Sequence, residues 1–341
     1  MTDLSIIIVN WNSTVFVLQC VESICAHTRQ IGFEIIVVDN CSPDGDVDLV
    51  TQRFPEVVLI KSAENLGFAR ANNLGFCAAK GDVIVFLNPD TKLISPAFDW
   101  MLPQFRSLPN IGAAGCTLLN EDQSIQTSAI QTFPTIINQL LDIEVLQKRF
   151  PACRLWNIQP LFTGGAQPCR VEMISGACLM MYRDVFERVG QFSDEYFMYA
   201  EDLDLCYKSI QAGYANYFFP QGRIIHFGGK SSNPTRATLM KWKSILHFIA
   251  KHKGVGYQLA FRMAMACSAL VRIMAIGFAL GVSGKLNSEA GRGRILKWRL
   301  ILKTMLIYSD QMQPARNDVT SGRASDGAIA RNDEKAYLRR G

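Results

Sequence analysis

LSIIIVNWNSTVFVLQCVESICAHTRQIGFEIIVVD, residues 4–39, decides the fold. Its two ends, LSIIIV (4–9) and EIIVVD (34–39), are short apolar runs rich in β-branched residues, and they read as buried strands. Between them Asn12 and Ser13 stand where helix caps stand, and Val15, Leu18, Val21 and Ile24 follow at helical spacing. A strand, a helix and a second strand make one unit of a parallel sheet.

The pattern continues outward. SPDG (42–45) is a turn and cap before a short helix that runs to Phe54, and VVLIK (57–61) is a third strand. Gly67 to Ala79 reads as a helix, DVIVFL (82–87) as a fourth strand, and IGAAGC (111–116) as another strand after a helix that follows Pro96. The expected fold class is therefore α/β, a mostly parallel, Rossmann-like sheet with helices on both faces. Such sheets bind ligands at the carboxyl ends of their strands. Residues 120–170 are irregular. Beyond them VEMISGACLMMY (171–182) reads as a strand, DVFERVG (184–190) as a short helix, EDLDLCYKSIQAGY (201–214) as a helix with acids in its first turn, and RIIHFGG (223–229) as a strand.

Composition narrows the class. Of 341 residues, 49% are hydrophobic and 19% charged, enough for a real core and few charges for a purely soluble chain. No signal peptide is expected, because Met1 to Asp3 lead straight into a strand. The ten cysteines form no CxxC pair and are expected to be buried free thiols in a reducing compartment. The net charge of +5 is uneven: residues 251–307 hold ten Lys/Arg and one acid, so the remainder is acidic and no general nucleic-acid affinity is implied.

Acids sit where a parallel sheet presents its ligand: Asp39 in VVDN, Asp90 in FLNPDT, and Glu201, Asp202 and Asp204 in YAEDLD. Each alone is ordinary cap or turn chemistry; their co-occurrence points to a site. VNWNST after the first strand has neither glycine nor lysine, which argues against a nucleotidyltransferase phosphate loop. It also lacks the G-x-G-x-x-G of a nicotinamide dehydrogenase.

SIIIVNWN, IIVVDNCSPDG, ENLGFARANNLG, FLNPDT, SGACLMMYRDVFERVGQFSDEYFMYAEDLDLCYK and HFGGKSS, in this order over about 4–232, resemble the inverting family 2 glycosyltransferases, in their bacterial rhamnosyltransferase-like branch. The resemblance implies a GT-A fold. It also implies transfer of a sugar, with rhamnose from dTDP-rhamnose suggested, to a hydroxyl of a saccharide or lipid-linked acceptor in surface polysaccharide synthesis. It assigns Asp39, with Asn10 and Asn12, to the donor nucleotide, and Arg70 and Asn72 to base and diphosphate contacts. Asp90 matches the last acid of the DxD-type motif and would hold Mg²⁺ or Mn²⁺ with His226, while Asn88 replaces the first acid. Asp202 matches the catalytic base, supported by Glu201. The physical logic agrees: a diphosphate leaving group needs a hard cation, and a hydroxyl needs a base. A non-catalytic, membrane-associated sugar-nucleotide-binding protein is the alternative.

Three regions are expected: a catalytic domain over 1–232, a basic and apolar helical segment over 233–310, and a disordered tail over 311–341. The run 257–282 is apolar but interrupted by Arg262 and Arg272. A central arginine costs at least ~2.5 kcal/mol in a bilayer span. The segment is therefore expected to lie on the cytoplasmic face of the plasma membrane with the arginine stems snorkelling. The basic stretch Lys285, Arg292, Arg294, Lys297, Arg299 and Lys303 would then face anionic lipid.

Overall fold

The computed structural model describes residues 2–43, 45–143, 149–150, 167–228, 234–283 and 288–308. The tail expected over 311–341 and Lys285 lie outside the described residues.

The chain opens with β1 (Leu4–Asn10), α1 (Thr14–His27), β2 (Phe33–Asp39), α2 (Asp48–Arg53), β3 (Val58–Lys61), α3 (Gly67–Ala78) and β4 (Val83–Leu87). These strands lie parallel in the order β3-β2-β1-β4. Ile6, Ile7, Ile8, Val37, Val38 and Phe86 are buried, each contributing roughly 1.5–3 kcal/mol. The register pairs Asn10 with Asp39, so the polar ends of β1 and β2 emerge together.

β5 (Thr91–Leu93), α4 (Ala97–Ser107) and β6 (Ile111–Leu119) follow, then β7 (Ile130–Gln131) and α5 (Ile136–Leu140). The expected strand over 171–182 divides into β8 (Cys169–Val171), β9 (Met173–Ile174) and β10 (Cys178–Tyr182). The turn at 175–177 breaks it, with the Cys178 amide donating to the Ser175 carbonyl. β10 enters the sheet between β4 and β6, antiparallel to both. After α6 (Arg183–Arg188) and α7 (Glu201–Gln211), β11 (Ala215–His226) starts eight residues before the expected position and pairs with β6 and β5. The mixed, mostly parallel sheet with flanking helices is the architecture expected.

Two local expectations need correction. The face of α1 that meets the core is Val17, Cys20, Val21 and Ile24, while Val15 is exposed. The helix also lacks a side-chain cap: Ser13 donates its hydroxyl to Asn10 Oδ1 instead, and Asn12 takes a left-handed φ of 51°. The cysteines are free among the described residues, but only Cys20, Cys116, Cys178 and Cys206 are buried; Cys41, Cys77 and Cys267 are exposed.

Glycine is required at Gly67, the first residue of α3. Its φ is +77°, and a Cβ there would meet the Phe197 carbonyl oxygen at 2.3 Å. That carbonyl accepts the Phe68 amide at 2.7 Å, which joins α3 to the segment before α7. Phe86, Phe186 and Phe192 form a cluster with centroids 4.7–5.4 Å apart, Phe192 edge to face with the other two and Phe86 tilted against Phe186.

The C-terminal region is helical: α8 (Pro234–Val282) and α9 (Glu289–Ile307). Gly254, with φ 83° and ψ 162°, kinks α8 into two parts. Past the kink, Gln258, Phe261, Met265 and Ala269 are buried at helical spacing. The two arginines do not snorkel. Arg262 donates to the Met305 and Leu306 carbonyls at the end of α9. Arg272 donates to the Leu140 and Asp142 carbonyls past α5 and lies over the Trp298 ring, 4.4 Å from its centroid. Both guanidinium groups satisfy carbonyls that a helix end leaves without partners.

Candidate active site

Four segments meet at the carboxyl edge of the parallel strands. At the ends of β1 and β2, Asn10 Nδ2 donates to Asp39 Oδ1 at 2.9 Å and to Ser42 Oγ at 3.2 Å. The Ser42 amide returns a bond to Asp39 Oδ2, and the Asn12 amide donates to Ser42 Oγ. Asn10 and Asp39 are buried and Asn12 is exposed. Arg70 is half exposed and loosely paired with Glu64 at 3.7 Å. Asn72 is turned inward: it is 1% exposed and its amide donates to the Phe68 carbonyl within α3. The structure does not bring it to the groove with Arg70.

Asn88 and Asp90 follow β4, and His226 ends β11, where it pairs with Thr91 of β5. His226 Nε2 lies 3.3 Å from Asp90 Oδ1 and 3.3 Å from Asn88 Nδ2. Gln126 fixes the imidazole from the other side. Its Nε2 donates to the His226 carbonyl at 2.6 Å, which leaves Oε1 facing Nδ1 at 3.0 Å. A carbonyl oxygen there accepts an Nδ1–H, so the neutral ring presents the Nε2 lone pair to Asp90. A lone pair facing a carboxylate suits a cation between them. Among the described residues no group of three His, Cys, Asp or Glu could hold a metal alone. Two protein ligands plus diphosphate oxygens is nonetheless an ordinary set for Mg²⁺ or Mn²⁺.

The third part is the start of α7. Tyr199 and Ala200, with φ of 71° and 64°, are consecutive left-handed residues without glycine, a strained entry to the helix. They deliver Asp202 to the turn at 175–177, where Oδ2 accepts the Gly176 amide at 2.8 Å and Oδ1 accepts the Leu203 amide. Burial pushes the Asp202 carboxyl up, and these amides and the charge of Lys241 only partly oppose it. Burial, then the charge of Asp202, pushes Glu201 well above the ordinary carboxylate range, and Glu201 Oε2 is buried without a hydrogen-bond partner. Raised, buried carboxyls of this kind are the groups that can exchange protons with a ligand.

Asp204 is different, although the sequence groups it with the other two. It is fully buried and accepts from Ser193 Oγ at 2.6 Å, Tyr196 Oη at 3.3 Å, His252 Nε2 at 2.6 Å and Lys251 Nζ at 3.0 Å. Burial pushes its carboxyl up, but the bonds from His252 and Ser193 and the charges of Lys208 and Lys251 outweigh that and hold it well below the usual range.

Sequence reading missed Gln126, Ser42, Gly176, Lys251 and His252. Gln126 and His252 act on residues 100 and 48 positions away, so no local pattern marks them.

Residues 5–190 match the glycosyl transferase family 2. The N-acetylglucosaminyl-diphospho-decaprenol L-rhamnosyltransferase of Mycobacterium tuberculosis is 30% identical over 245 residues, which cover 67% of this chain and 75% of that protein. Rhamnosyltransferase WbbL of Escherichia coli is 22% identical over 198 residues, 55% of this chain and 71% of its own length. The fold is similar to the mannosyltransferase PcManGT of Pyrobaculum calidifontis, solved with GDP-Man and Mn²⁺. The TM-score is 0.56 at 14% identity, covering 90% of this chain and 89% of that one. It is also similar to GalNAc-T7, solved with UDP, GalNAc and Mn²⁺, with a TM-score of 0.52 at 15% identity over 75% of this chain and 52% of that one.

The opposite shifts of Asp204 and Glu201 predict opposite pH behaviour of their variants. A carboxyl lowered by folding contributes stability above its ordinary value of 3.8 and loses it as pH falls through the folded value. Asp204→Asn should therefore cost roughly 3–5 kcal/mol at pH 7, with the deficit narrowing below pH ~4. A raised carboxyl instead lowers stability as pH rises from its ordinary value of 4.5 to the folded value, because the unfolded chain ionises first. Glu201→Gln should leave stability unchanged below pH ~4 and raise it increasingly above the ordinary value of 4.5, up to the shifted one. Urea unfolding of both variants across this range checks the two signs.

Proposed function

This chain belongs to the family 2 glycosyltransferases, in the rhamnosyltransferase-like branch, and we propose that it moves rhamnose from dTDP-rhamnose, with inversion, to a hydroxyl of a lipid-linked saccharide. The transfer builds bacterial surface polysaccharide. The observation that carries the reading is the pair of unlike carboxylate environments on one edge of the sheet. Asp90 lies 3.3 Å from the His226 imidazole, and Asp202 sits half-buried against Gly176 beside Glu201, whose Oε2 has no hydrogen-bond partner among the described residues.

The roles follow from this arrangement. Asn10 and Asp39 receive the nucleobase, whose N–H can donate to a carboxylate oxygen, and Asn12 borders the nucleoside. Arg70, paired with Glu64 at the surface, can turn to the diphosphate, while Asn72, bonded to the Phe68 carbonyl within α3, takes no part in the contact. Asp90 and His226 hold Mg²⁺ or Mn²⁺, with Asn88 beside them in place of a further acid. When bound, the cation neutralises charge on the diphosphate oxygens. Asp202 takes the acceptor hydroxyl proton as that oxygen bonds to the anomeric carbon. The bond from the anomeric carbon to the diphosphate breaks on the opposite face, so the anomeric centre inverts. Burial against the turn at 175–177 keeps the Asp202 carboxyl basic, with Glu201 beside it.

We place the protein on the cytoplasmic face of the plasma membrane through the second part of α8. Val255, Leu259, Met263, Leu270, Val271, Met274, Phe278 and Val282 are exposed along it, and Arg262 and Arg272 are engaged by backbone carbonyls. The helix has an 18-residue window of mean hydropathy 2.0, of which 17% is buried. Phe261, Met265 and Ala269 pack inward, so one face meets protein and the other is available to lipid, as in an interfacial helix. Arg292, Arg294, Lys297, Arg299 and Lys303 on α9 are exposed and would meet anionic headgroups.

Three experiments test this reading. Asp202→Asn should lower turnover by about 10²–10⁴ with donor affinity kept within a few-fold; a variant with more than a tenth of wild-type turnover would remove Asp202 as the base. Chelator should abolish transfer, and Asp90→Ala should weaken donor binding far more with Mg²⁺ or Mn²⁺ than without. Full activity in chelator would overturn the metal role of Asp90 and His226. The purified chain should float with anionic vesicles, less so in high salt, and Phe278→Glu with Met274→Glu should release it. A chain that stays soluble with every lipid composition would disprove the membrane site.

A further inference from the structure

The first part of α8, before the kink at Gly254, touches the segment that carries the base. Ser244 donates its hydroxyl to the Met198 carbonyl at 3.0 Å. The His247 ring stands edge-on to Tyr196, with centroids 5.2 Å apart. Lys251 bonds Glu195 at 2.6 Å and Ser193 Oγ at 3.0 Å, and its ammonium lies 5.5 Å from the Tyr196 ring centroid. Lys251 and His252 also reach the buried Asp204 carboxylate, two residues past Asp202. Residues 244, 247, 251 and 252 share one face of the helix. That face grips the chain from Ser193 to Met198 and the first turn of α7. Between these two grips lies the left-handed pair Tyr199 and Ala200.

Consecutive left-handed residues without glycine are strained and persist only where their surroundings over-determine them. Here the surroundings are α8 on one side and the Gly67–Phe197 junction on the other. We propose that Ser244, Lys251 and His252 are positioning residues that hold the Tyr199–Ala200 turn and thereby aim the Asp202 carboxylate at the acceptor hydroxyl. The first part of α8 is then part of the catalytic apparatus, and the membrane-facing function begins only after Gly254. This inference rests on the reading of Asp202 as the base.

The test uses the full chain with a detergent-solubilised acceptor, so that membrane docking does not enter the rate. Ser244→Ala, His252→Leu and His252→Gln are compared with Asp202→Asn for kcat, for KM of donor and acceptor, and for melting temperature. Misplacing a catalytic group by about 1 Å costs on the order of 10² in rate. Ser244→Ala, which removes one hydroxyl, should lower kcat about tenfold or more with donor KM and melting temperature nearly unchanged. His252→Leu should lower kcat further, and His252→Gln, which keeps a donor for Asp204, should recover most of it. A loss confined to melting temperature, or unchanged kcat in folded Ser244→Ala and His252→Leu beside an inactive Asp202→Asn, would overturn the positioning role alone. An active Asp202→Asn would overturn the base assignment and this inference with it.

Discussion

The Asp204 carboxylate has no exposure to solvent, and the acid half of the site depends on how that charge is compensated. A buried carboxylate carries a penalty of several kcal/mol unless cations and donors surround it. Its partners come from three places: Ser193 and Tyr196 before α7, Lys208 within it, and Lys251 and His252 on α8. Satisfying one charge therefore fixes three segments at once. Glu201 and Asp202 lie within three residues of it, so their placement is inherited from Asp204.

The donor half depends on a different device. β1 and β2 end in register, so Asn10 meets Asp39 without any long loop. Asn40 then bonds Asn65, the Leu66 amide and the Gly67 carbonyl, which sets where α3 starts. Gly67 in turn touches the Phe197 carbonyl. A continuous chain of hydrogen bonds thus runs from the end of β2 through the start of α3 to the segment that enters α7. The ends of β1 and β2 and the entry to α7 are thereby tied together through the Phe68 amide on the Phe197 carbonyl.

What the sequence made legible was whatever depends on local pattern. β-branched runs marked β1, β2 and β4, a run of small and apolar residues marked β6, and acids stand at the end of β2 and after β4, at Asp39 and Asp90. The insertion of β10 antiparallel between β4 and β6 left no such mark, because a strand buried on both faces reads the same in either direction. Asp204 looked like its neighbours because three acids in a first turn fit a helix N-terminus whatever each one touches. The strained Tyr199–Ala200 turn lacks the glycine that usually announces a left-handed residue. The helical stripe of α1 was right at Val21 and Ile24 but not at its start, since Val15 is apolar yet faces outward and Val17 and Cys20 are buried instead.

The arginines of α8 show a use for charge in an apolar helix other than the expected snorkelling. Read as sequence, Arg262 and Arg272 interrupt an apolar run and argue against insertion into lipid. In the fold each guanidinium is drawn to carbonyls left over at the end of another helix, Met305 and Leu306 for one, Leu140 and Asp142 for the other. Arginine suits this use because its rigid fork can serve two carbonyls at once while its face stacks on a ring, as Arg272 does on Trp298. The side chains that would spoil an apolar surface thus hold the helix against α9 and α5. The face left outward runs from Val255 to Phe278 with valine, leucine, methionine and phenylalanine exposed. The same two contacts fix the orientation of that face relative to α9. Because α8 is one helix kinked at Gly254, its exposed apolar surface and the surface that packs on the segment before α7 are parts of one element.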